Sequence, residues 1–419
     1  MDALAASHRW KIRAFAAALL LLGCALRIVP WTSFQGMGYD ESWYRKYLLA
    51  LDAHGLAAYP DICAAYLADG ADQQTLAKVP PLRVLFVTSG WMWKRAAFGS
   101  AAPADLDAPG GTELDPALIS LHRVSTVFGC IALIAAWALA RRFFAQDEAL
   151  GVLALFSCSP LLIHISQHAL IDGVYGTCAL LTLWTLIESL RTPVRPTWLA
   201  AFASSFALLV LAKENAIFVG AAIAAILCFA RPLGLGAADR RHWSAAILGG
   251  LAAIAILAWA AGGFATTVAV YLLFIGKVQT LTYGHETGDG GWSRYLVDLM
   301  IFTPVTLCFA LGGAFRTATE TRGPRVFLVF LGITYIAMCN VRYGMNLRYA
   351  TIWEFPLRVL AVAQVTALAS RFERRPWIFA AFVVMLCAVD LAQYHHFFVT
   401  YRLYDLPTGD MLRTLKMLK

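Results

Sequence analysis

Residues 118–190 read LISLHRVSTVFGCIALIAAWALARRFFAQDEALGVLALFSCSPLLIHISQHALIDGVYGTCALLTLWTLIESL, two apolar runs separated by a basic pair. The first run, Leu118–Ala140, is long enough to cross a bilayer once, because about 20 apolar residues span the hydrocarbon core. The pair Arg141-Arg142 follows it, and basic residues close to a span mark the cytoplasmic side. The second run, Ala149–Leu190, is about twice the length of one crossing. It therefore predicts a hairpin of two spans, with its outside turn near His168–Gly173.

The composition of the whole chain is typical of a membrane protein. Of 419 residues, 60% are hydrophobic and only 14% are charged, against about 25% charged in soluble domains. This composition excludes a soluble enzyme. The formal net charge is +8, but the arginines lie mostly in short loops between apolar runs, which is a topology signal rather than a nucleic-acid footprint. We therefore expect the lipid bilayer as a partner and no nucleic acid.

The N-terminal part of the chain predicts one span followed by a large outside loop. The first span, about Ala14–Pro30, follows three basic residues, so the N-terminus is expected on the cytoplasmic side. Residues 31–118 then form the first periplasmic loop. Two semi-apolar stretches in this loop, Ser42–Tyr59 and Pro80–Phe98, carry charges at helical intervals and predict helices that lie along the membrane surface.

The same combination of length and charge continues to the C-terminus. Beyond the hairpin, the predicted spans are about 197–212, 216–230, 244–262, a return from Arg294 to Arg316, 326–339, 352–370 and 377–393. Residues 263–294 form a later periplasmic loop, and the tail from Tyr394 is expected outside. The prediction is one integral membrane domain over residues 1–419, all-α and polytopic, with about eleven transmembrane helices.

Four places carry ionisable residues at the predicted outside ends of spans, where charges are costly unless they are used or paired. They are Asp40-Glu41, Asp172, Lys213 and Arg348-Tyr349. Carboxylates that face cations at a membrane surface suit sugar transfer from an anionic lipid donor. One carboxylate deprotonates an acceptor hydroxyl, and Lys or Arg neutralises the departing phosphate. The alternative is that each is an ordinary solvated loop residue, which fits Asp172 least because its hairpin is apolar.

Short motifs around these residues follow one another along the chain. They are Asp40-Glu41 after the first span, Pro80-Pro81-Leu82 before a surface helix, Arg123 at the start of the second span, Ser159-Pro160-Leu161 through Asp172, Ala212-Lys213-Glu214, and Arg348-Tyr349 with Pro356. In this order they resemble the GT-C superfamily of membrane glycosyltransferases, especially the branch that includes protein O-mannosyltransferases and the aminoarabinose transferase of lipid A. The resemblance covers roughly residues 10–370.

The resemblance implies a GT-C-like fold and an inverting transfer of a hexose or pentose from a polyprenyl-phosphate sugar. It implies Asp40 as the general base, with Glu41 and Asp172 shaping the acceptor or donor site, and it leaves Glu41 open as an alternative base. The candidate residues for the donor phosphate are Lys213, Arg348, Tyr349, Arg123 and Arg358.

Two further groups of residues leave alternatives open. His285-Glu286 lies in the glycine-rich part of the later periplasmic loop. It forms either a mobile lid with solvated charges, which we favour, or a metal site together with Asp40. A divalent cation is thus the one cofactor candidate. Arg358 either pairs with Glu354 at i,i+4 or reaches the donor phosphate.

The leading hypothesis is a glycosyltransferase with a periplasmic active site in the inner membrane of a bacterium. Compared with the resembled families, no soluble domain interrupts the spans and no sizeable domain follows the last one, which leaves the acceptor open between protein, lipid and glycan. A lipid or sugar transporter, or flippase, is the first alternative, but transporters place ionisable residues near mid-membrane in paired halves. A ligase that joins preassembled glycans is the second alternative.

Overall fold

The computed structural model describes residues 2–29, 38–70, 79–99, 115–278, 291–320, 324–341 and 346–418. These parts of the chain are built from helices joined by short turns, and none of their residues lies in a β-strand. The all-α class predicted from the sequence is therefore confirmed.

The helices follow the predicted apolar runs closely. In chain order they are α1 (Asp2–Ile28), α2 (Tyr39–His54), α3 (Tyr59–Gly70), α4 (Val84–Phe98), α5 (Pro116–Phe143), α6 (Gln146–Ser157), α7 (Pro160–Gln167), α8 (Ile171–Ser189), α9 (Pro196–Ala212), α10 (Ala216–Cys228), α11 (Arg240–Ala260), α12 (Phe264–Val278), α13 (Arg294–Phe302), α14 (Pro304–Glu320), α15 (Arg325–Cys339), α16 (Glu354–Ala369), α17 (Arg375–Tyr394) and α18 (Thr408–Thr414). Short 3₁₀ helices at Gly55–Ala58 and Leu347–Trp353 and a π-helical turn at His395–Thr400 join some of them.

Four helical segments are each long and apolar enough to cross a membrane. They are Pro116–Phe143, Arg240–Ala260, Leu347–Ala369 and Arg375–Thr400. The bent pair α6–α7 meets the same requirement as one unit, while α9, α10, α12 and α15 are apolar but shorter. The chain is thus a multi-pass membrane protein. The expected number of about eleven spans is not confirmed by the lengths of the described helices.

Prolines explain where two predicted spans are interrupted. Ser159 and Thr303 each precede a proline, which disfavours helical backbone at the preceding residue. The first break bends α7 against α6 by 51°, and the second separates α13 from α14 within what the sequence predicted as one returning span. Residues 264–278, which begin the predicted later periplasmic loop, form the helix α12, and the location of this loop stays a prediction.

Helix α5 is the element that holds the predicted hairpin in place. It contacts α1, α2, α4, α6, α7 and α8, and its buried side carries small residues that let neighbouring helices approach closely. At Gly129 the approach is so close that a Cβ atom would collide with Ser166 of α7. The hairpin turn then lies between Gln167 and Ile171, inside the range that the sequence predicted.

Buried ion pairs join the helices of the first periplasmic loop to each other and to α5. Lys94 of α4 pairs with Asp52 of α2, and Arg45 of α2 pairs with Asp115 at the start of α5. Helices α2 and α4 form where the sequence predicted surface helices. Their position along the membrane surface stays a prediction.

The guanidinium of Arg27 caps the end of α6 at the bend. Its Nη1 donates to the carbonyls of Gly23 at 2.9 Å and Ser157 at 3.2 Å, and its Nη2 donates to the carbonyl of Phe156 at 3.2 Å. The last carbonyls of a helix have no donor within the helix, and in a membrane no water replaces that donor. Arg27 therefore makes the broken helix pair tolerable inside the apolar core.

We expect Arg27→Met to lower the free energy of unfolding by about 2–4 kcal/mol, because three buried carbonyls lose a charged donor. Thermal unfolding of the purified protein in detergent measures this loss. Arg13→Met is the matched control, since Arg13 is exposed on the same helix. An equal loss in both variants would contradict the capping role of Arg27.

Candidate active site

The fold brings all four predicted ionisable places into one cluster. Asp40-Glu41 lies in the first turn of α2, Asp172 in the first turn of α8, Lys213 in the link from α9 to α10, and Arg348 in the 3₁₀ helix before α16. Two of these residues, Asp40 and Arg348, are in contact although 308 positions separate them. The cluster is therefore a product of the tertiary structure.

The guanidinium of Arg348 is the centre of this cluster. Its Nη2 lies 3.2 Å from Asp40 Oδ2, and its Nε lies 3.2 Å from Asp405 Oδ1 and 4.0 Å from Asp172 Oδ2. The preceding turn is fixed, because the Asn346 side chain accepts a hydrogen bond of 2.9 Å from the Arg348 backbone. Only 4% of the Arg348 side chain is exposed. One nearly buried cation thus faces three carboxylates from three separate parts of the chain.

Lys213 and Asp172 form a buried ion pair beside Arg348. Lys213 Nζ donates to Asp172 Oδ1 at 2.5 Å, and both side chains are buried. The same ammonium lies 3.7 Å from the centre of the Tyr349 ring, which is a cation–π contact. Burial lowers the pKa of Lys213, and the charge of Asp172 offsets part of this effect. The positive charge of Lys213 is therefore balanced inside the protein.

Glu41 is bonded through both of its carboxylate oxygens. Its Oε2 accepts a hydrogen bond of 2.8 Å from the Gly38 backbone, and its Oε1 accepts one of 2.7 Å from the Ala169 backbone. His122 Nε2 and His168 Nδ1 lie 3.5 Å and 3.4 Å from Oε1. Burial raises the pKa of Glu41, but hydrogen bonding and charge from His168, His122 and the Gly38 amide outweigh burial and lower it to about 2. Glu41 thus stays ionised and ties α2 to the turn before α8.

Asp40 occupies a more open position than its neighbour. The Asp40 side chain is 22% exposed, whereas the Glu41 side chain is 1% exposed. A substrate hydroxyl can therefore approach Asp40, whereas the protein itself occupies the oxygens of Glu41.

A further charged pair supports the cluster, and the sequence analysis did not predict the pairing of its two residues. Arg83, just before α4, lies 2.8 Å from Glu214 Oε1 through Nη2, and its Nη1 donates to the Tyr44 hydroxyl. Burial lowers the pKa of Arg83, but Glu214 and Tyr44 raise it more, so it lies above its usual value. This contact fixes α2, α4 and the α9–α10 link relative to one another. The available signals were that Arg83 is the one charge in an apolar stretch and that Glu214 follows Lys213.

The C-terminal segment supplies two residues to which the sequence analysis gave no role. Besides its contact with Arg348, Asp405 Oδ1 accepts a hydrogen bond of 2.7 Å from Asn346 Nδ2. The Tyr404 ring centre lies 5.9 Å from the guanidinium carbon of Arg348 and 5.4 Å from the His168 ring, which it meets edge-on. No periodicity or motif connects this tail with the acidic motif near α2.

The other predicted residues lie apart from the Arg348 cluster. Arg123 is exposed on α5, and its assignment to the donor stays a prediction. Arg358 is fully buried, 2.9 Å from Glu354 and 3.3 Å from Asp390, so the i,i+4 pair is observed. His285-Glu286 lies outside the described residues. Among the residues that the structure does describe, no group of three or more His, Cys, Asp or Glu is placed to hold a metal ion.

Comparison with known proteins identifies a matching family model and chains of similar fold. The family model for dolichyl-phosphate-mannose-protein mannosyltransferase matches residues 117–261. The apo oligosaccharyltransferase of Archaeoglobus fulgidus has a TM-score of 0.61 at 12% identity, over 91% of this chain and 56% of that chain. AglB of the same organism, in complex with an inhibitory peptide and a dolichol-phosphate, has a TM-score of 0.59 at 11% identity, over 93% of this chain and 55% of that chain. ArnT from Cupriavidus metallidurans bound to undecaprenyl phosphate has a TM-score of 0.51 at 12% identity, over 98% of this chain and 75% of that chain. No curated relative matches the chain.

These matches establish the fold. The family model and the fold matches agree with the resemblance that the motifs carry, and the GT-C-like fold is confirmed. The chain spans about half the length of the archaeal oligosaccharyltransferase chains that it matches. The family-model match includes Asp172 and Lys213, whereas Asp40, Arg348 and Asp405 lie outside it.

The close contact between Gly38 and Tyr404 yields a test of the C-terminal segment. A Cβ atom at Gly38 would collide with the Tyr404 ring, so we expect Gly38→Ala to displace this segment and to increase its cleavage by protease severalfold. Mass analysis of the C-terminal fragments in limited proteolysis measures the effect. Gly409→Ala is the control, because nothing lies within 4 Å of its added Cβ. Unchanged proteolysis of the Gly38 variant would refute the packing argument.

The lowered pKa of Glu41 predicts a pH-dependent contribution to stability. A shift from 4.5 to about 2 corresponds to roughly 3 kcal/mol, present above the unfolded value and lost as the pH falls towards the folded one. We expect Glu41→Gln to lower the melting temperature at pH 7, and the difference from wild type to shrink below about pH 4.5. The exposed Glu373→Gln serves as control. A difference that is constant with pH would show that ionisation of Glu41 is irrelevant.

Proposed function

We propose that this chain is a glycosyltransferase that moves a hexose or pentose from a polyprenyl-phosphate donor to an acceptor hydroxyl, with inversion, at the periplasmic face of a bacterial inner membrane. The observation that carries the proposal is the partly exposed Asp40 carboxylate 3.2 Å from the Arg348 guanidinium. Similar folds support it, because ArnT is bound to undecaprenyl phosphate and AglB is in complex with a dolichol-phosphate. The N-terminus is then cytoplasmic and the C-terminus periplasmic.

Asp40 is the residue that we assign as the general base. A base must come within hydrogen-bond reach of the hydroxyl that it deprotonates, and Asp40 is far more exposed than Glu41. Glu41 has its oxygens engaged by the Gly38 and Ala169 amides. We therefore assign Glu41 to positioning Asp40 rather than to proton transfer.

Arg348 is the residue that we assign to the donor phosphate. A guanidinium can donate two parallel hydrogen bonds to phosphate oxygens, and it keeps its charge at any physiological pH. Lys213 and Asp172 hold Tyr349 and Arg348 from the buried side. Arg123 is kept as a further candidate for the phosphate, whereas Arg358 is assigned to its ion pairs with Glu354 and Asp390.

The reaction that this arrangement supports is a single displacement. The acceptor oxygen bonds to the anomeric carbon while the bond from that carbon to the phosphate oxygen breaks. The hydroxyl proton passes to Asp40, and the electron pair leaves with the phosphate, where Arg348 stabilises it. Base and leaving phosphate must lie on opposite faces of the anomeric carbon. Since Asp40 and Arg348 touch in the structure, the donor sugar has to enter between them and separate the pair.

The central test is donor cleavage by the Asp40→Asn variant. We expect release of polyprenyl phosphate from a panel of polyprenyl-phosphate sugars to fall about 10²–10⁴-fold, the usual contribution of a general base. Product released per time, separated by chromatography, is the measurement. Asp410→Asn is the matched control, because Asp410 is a surface residue paired with Arg413.

Other outcomes would separate this proposal from its rivals. Full transfer by Asp40→Asn would remove Asp40 as the base, and a product that retains the donor's anomeric configuration would exclude the single displacement. Loss of activity in EDTA would support the alternative in which His285-Glu286 holds a metal ion. A wild-type protein that moves the lipid-linked sugar across a vesicle membrane without cleaving it would be a transporter.

A further inference from the structure

The last part of the described chain folds back onto the proposed active site. We call residues 401–418 the C-terminal strap. Leu406 and Met411 of the strap are buried, and Thr408 donates a hydrogen bond of 2.5 Å to the buried Asp298 of α13. The Tyr404 carbonyl lies 3.0 Å from His164 Nε2 of α7. The strap is thus anchored on both sides of Asp405 by contacts that do not involve its carboxylate.

Two neighbouring residues of the strap touch the residues that the proposed reaction uses. Tyr404 packs against Gly38, two positions before Asp40, and Gly38 has no room for a side chain there. Asp405 Oδ1 lies 3.2 Å from Arg348 Nε. The strap therefore contacts both the acidic motif and the cation that we assign to the donor phosphate.

The charges around Arg348 leave little room for another anion. Within the described residues, the carboxylates of Asp40, Asp172 and Asp405 face the cations Arg348 and Lys213, and Lys213 is paired with Asp172. Adding a phosphate to this group without removing a carboxylate would place a further negative charge in a partly buried site, where repulsion is strong. Phosphate binding at Arg348 therefore requires that carboxylates give up their contact with it.

Asp405 has other hydrogen-bond partners that remain when it leaves Arg348. Its Oδ1 also accepts hydrogen bonds from Asn346 Nδ2 at 2.7 Å and from the Leu406 backbone at 2.9 Å. Its side chain is 18% exposed, so water can reach it. Neutral hydrogen-bond donors and water stabilise such a carboxylate after its cation has bound another anion. It therefore loses less free energy than a fully buried carboxylate would.

We propose that Asp405 competes with the donor phosphate for Arg348 and so sets the affinity of the site for phosphate. This inference rests on the proposed function, since it takes the anion at Arg348 to be the phosphate of a polyprenyl-phosphate sugar. The donor is a phosphate diester with one negative charge, whereas the product polyprenyl phosphate is a monoester with a second ionisable oxygen. The product is therefore the stronger ligand for Arg348. The return of Asp405 to Arg348 helps to expel it.

The experiment compares binding of undecaprenyl phosphate to the purified full-length wild type and to Asp405→Asn, which keeps the shape and the hydrogen-bond acceptor of the side chain. We expect the variant to bind undecaprenyl phosphate about tenfold more tightly, because it lacks one partly exposed charge that competes for Arg348. In transfer assays the donor KM should fall, and kcat should fall with it because the product leaves more slowly. Asp410→Asn, on the surface of α18, should change neither value.

Each other result overturns the inference. Unchanged or weaker binding by Asp405→Asn would mean that Asp405 only orients Arg348. Asp405→Ser removes the charge with a smaller side chain and must shift the affinity in the same direction, which keeps the test open if the first variant folds poorly. Absence of binding by wild type and both variants would also overturn it. The proposed function fails separately, if the wild type binds undecaprenyl phosphate but transfers no sugar.

Discussion

The need to compensate one nearly buried positive charge organises the part of this protein around the candidate active site. Arg348 has carboxylates from α2, α8 and the C-terminal strap around it, and a charge without a partner at such a position would cost several kcal/mol. Each of these three elements carries one carboxylate partner of Arg348. The position of the acidic motif, of the hairpin turn and of the chain's end therefore depends on the same guanidinium.

The surrounding ion pairs give this cluster a stable frame. Lys213 with Asp172 and Arg83 with Glu214 are each largely balanced within the protein, and Glu41 is held by backbone amides beside two histidines. The carboxylates of the protein thus already neutralise the cations of the cluster. Under the proposed function, an anionic donor therefore has to exchange with carboxylates at Arg348. The more exposed carboxylates at Arg348 are the ones available for this exchange.

Much of the fold was predictable because length, hydropathy and arginine position follow directly from the bilayer. Helices occupy the predicted hairpin as α6, α7 and α8, and the helices α2 and α4 and the links around Lys213 and Arg348 also lie where the sequence predicted them. The features that the sequence did not predict have local causes. Prolines interrupt two predicted spans, and residues 264–278 of the predicted later loop form a helix. Those features depend on backbone geometry that a count of apolar residues does not include.

The sequence by itself singled out the ionisable residues that interrupt or follow apolar runs, because a charge within the bilayer is costly and the few exceptions are visible in the chain. It could not separate Asp40 from Glu41, which are adjacent in the chain. Tertiary structure decided their difference through burial, since Glu41 meets the Ala169 amide from the hairpin turn. Tertiary structure alone also placed Asp405 on Arg348, because contacts between distant segments depend on packing and leave no period or spacing in the chain.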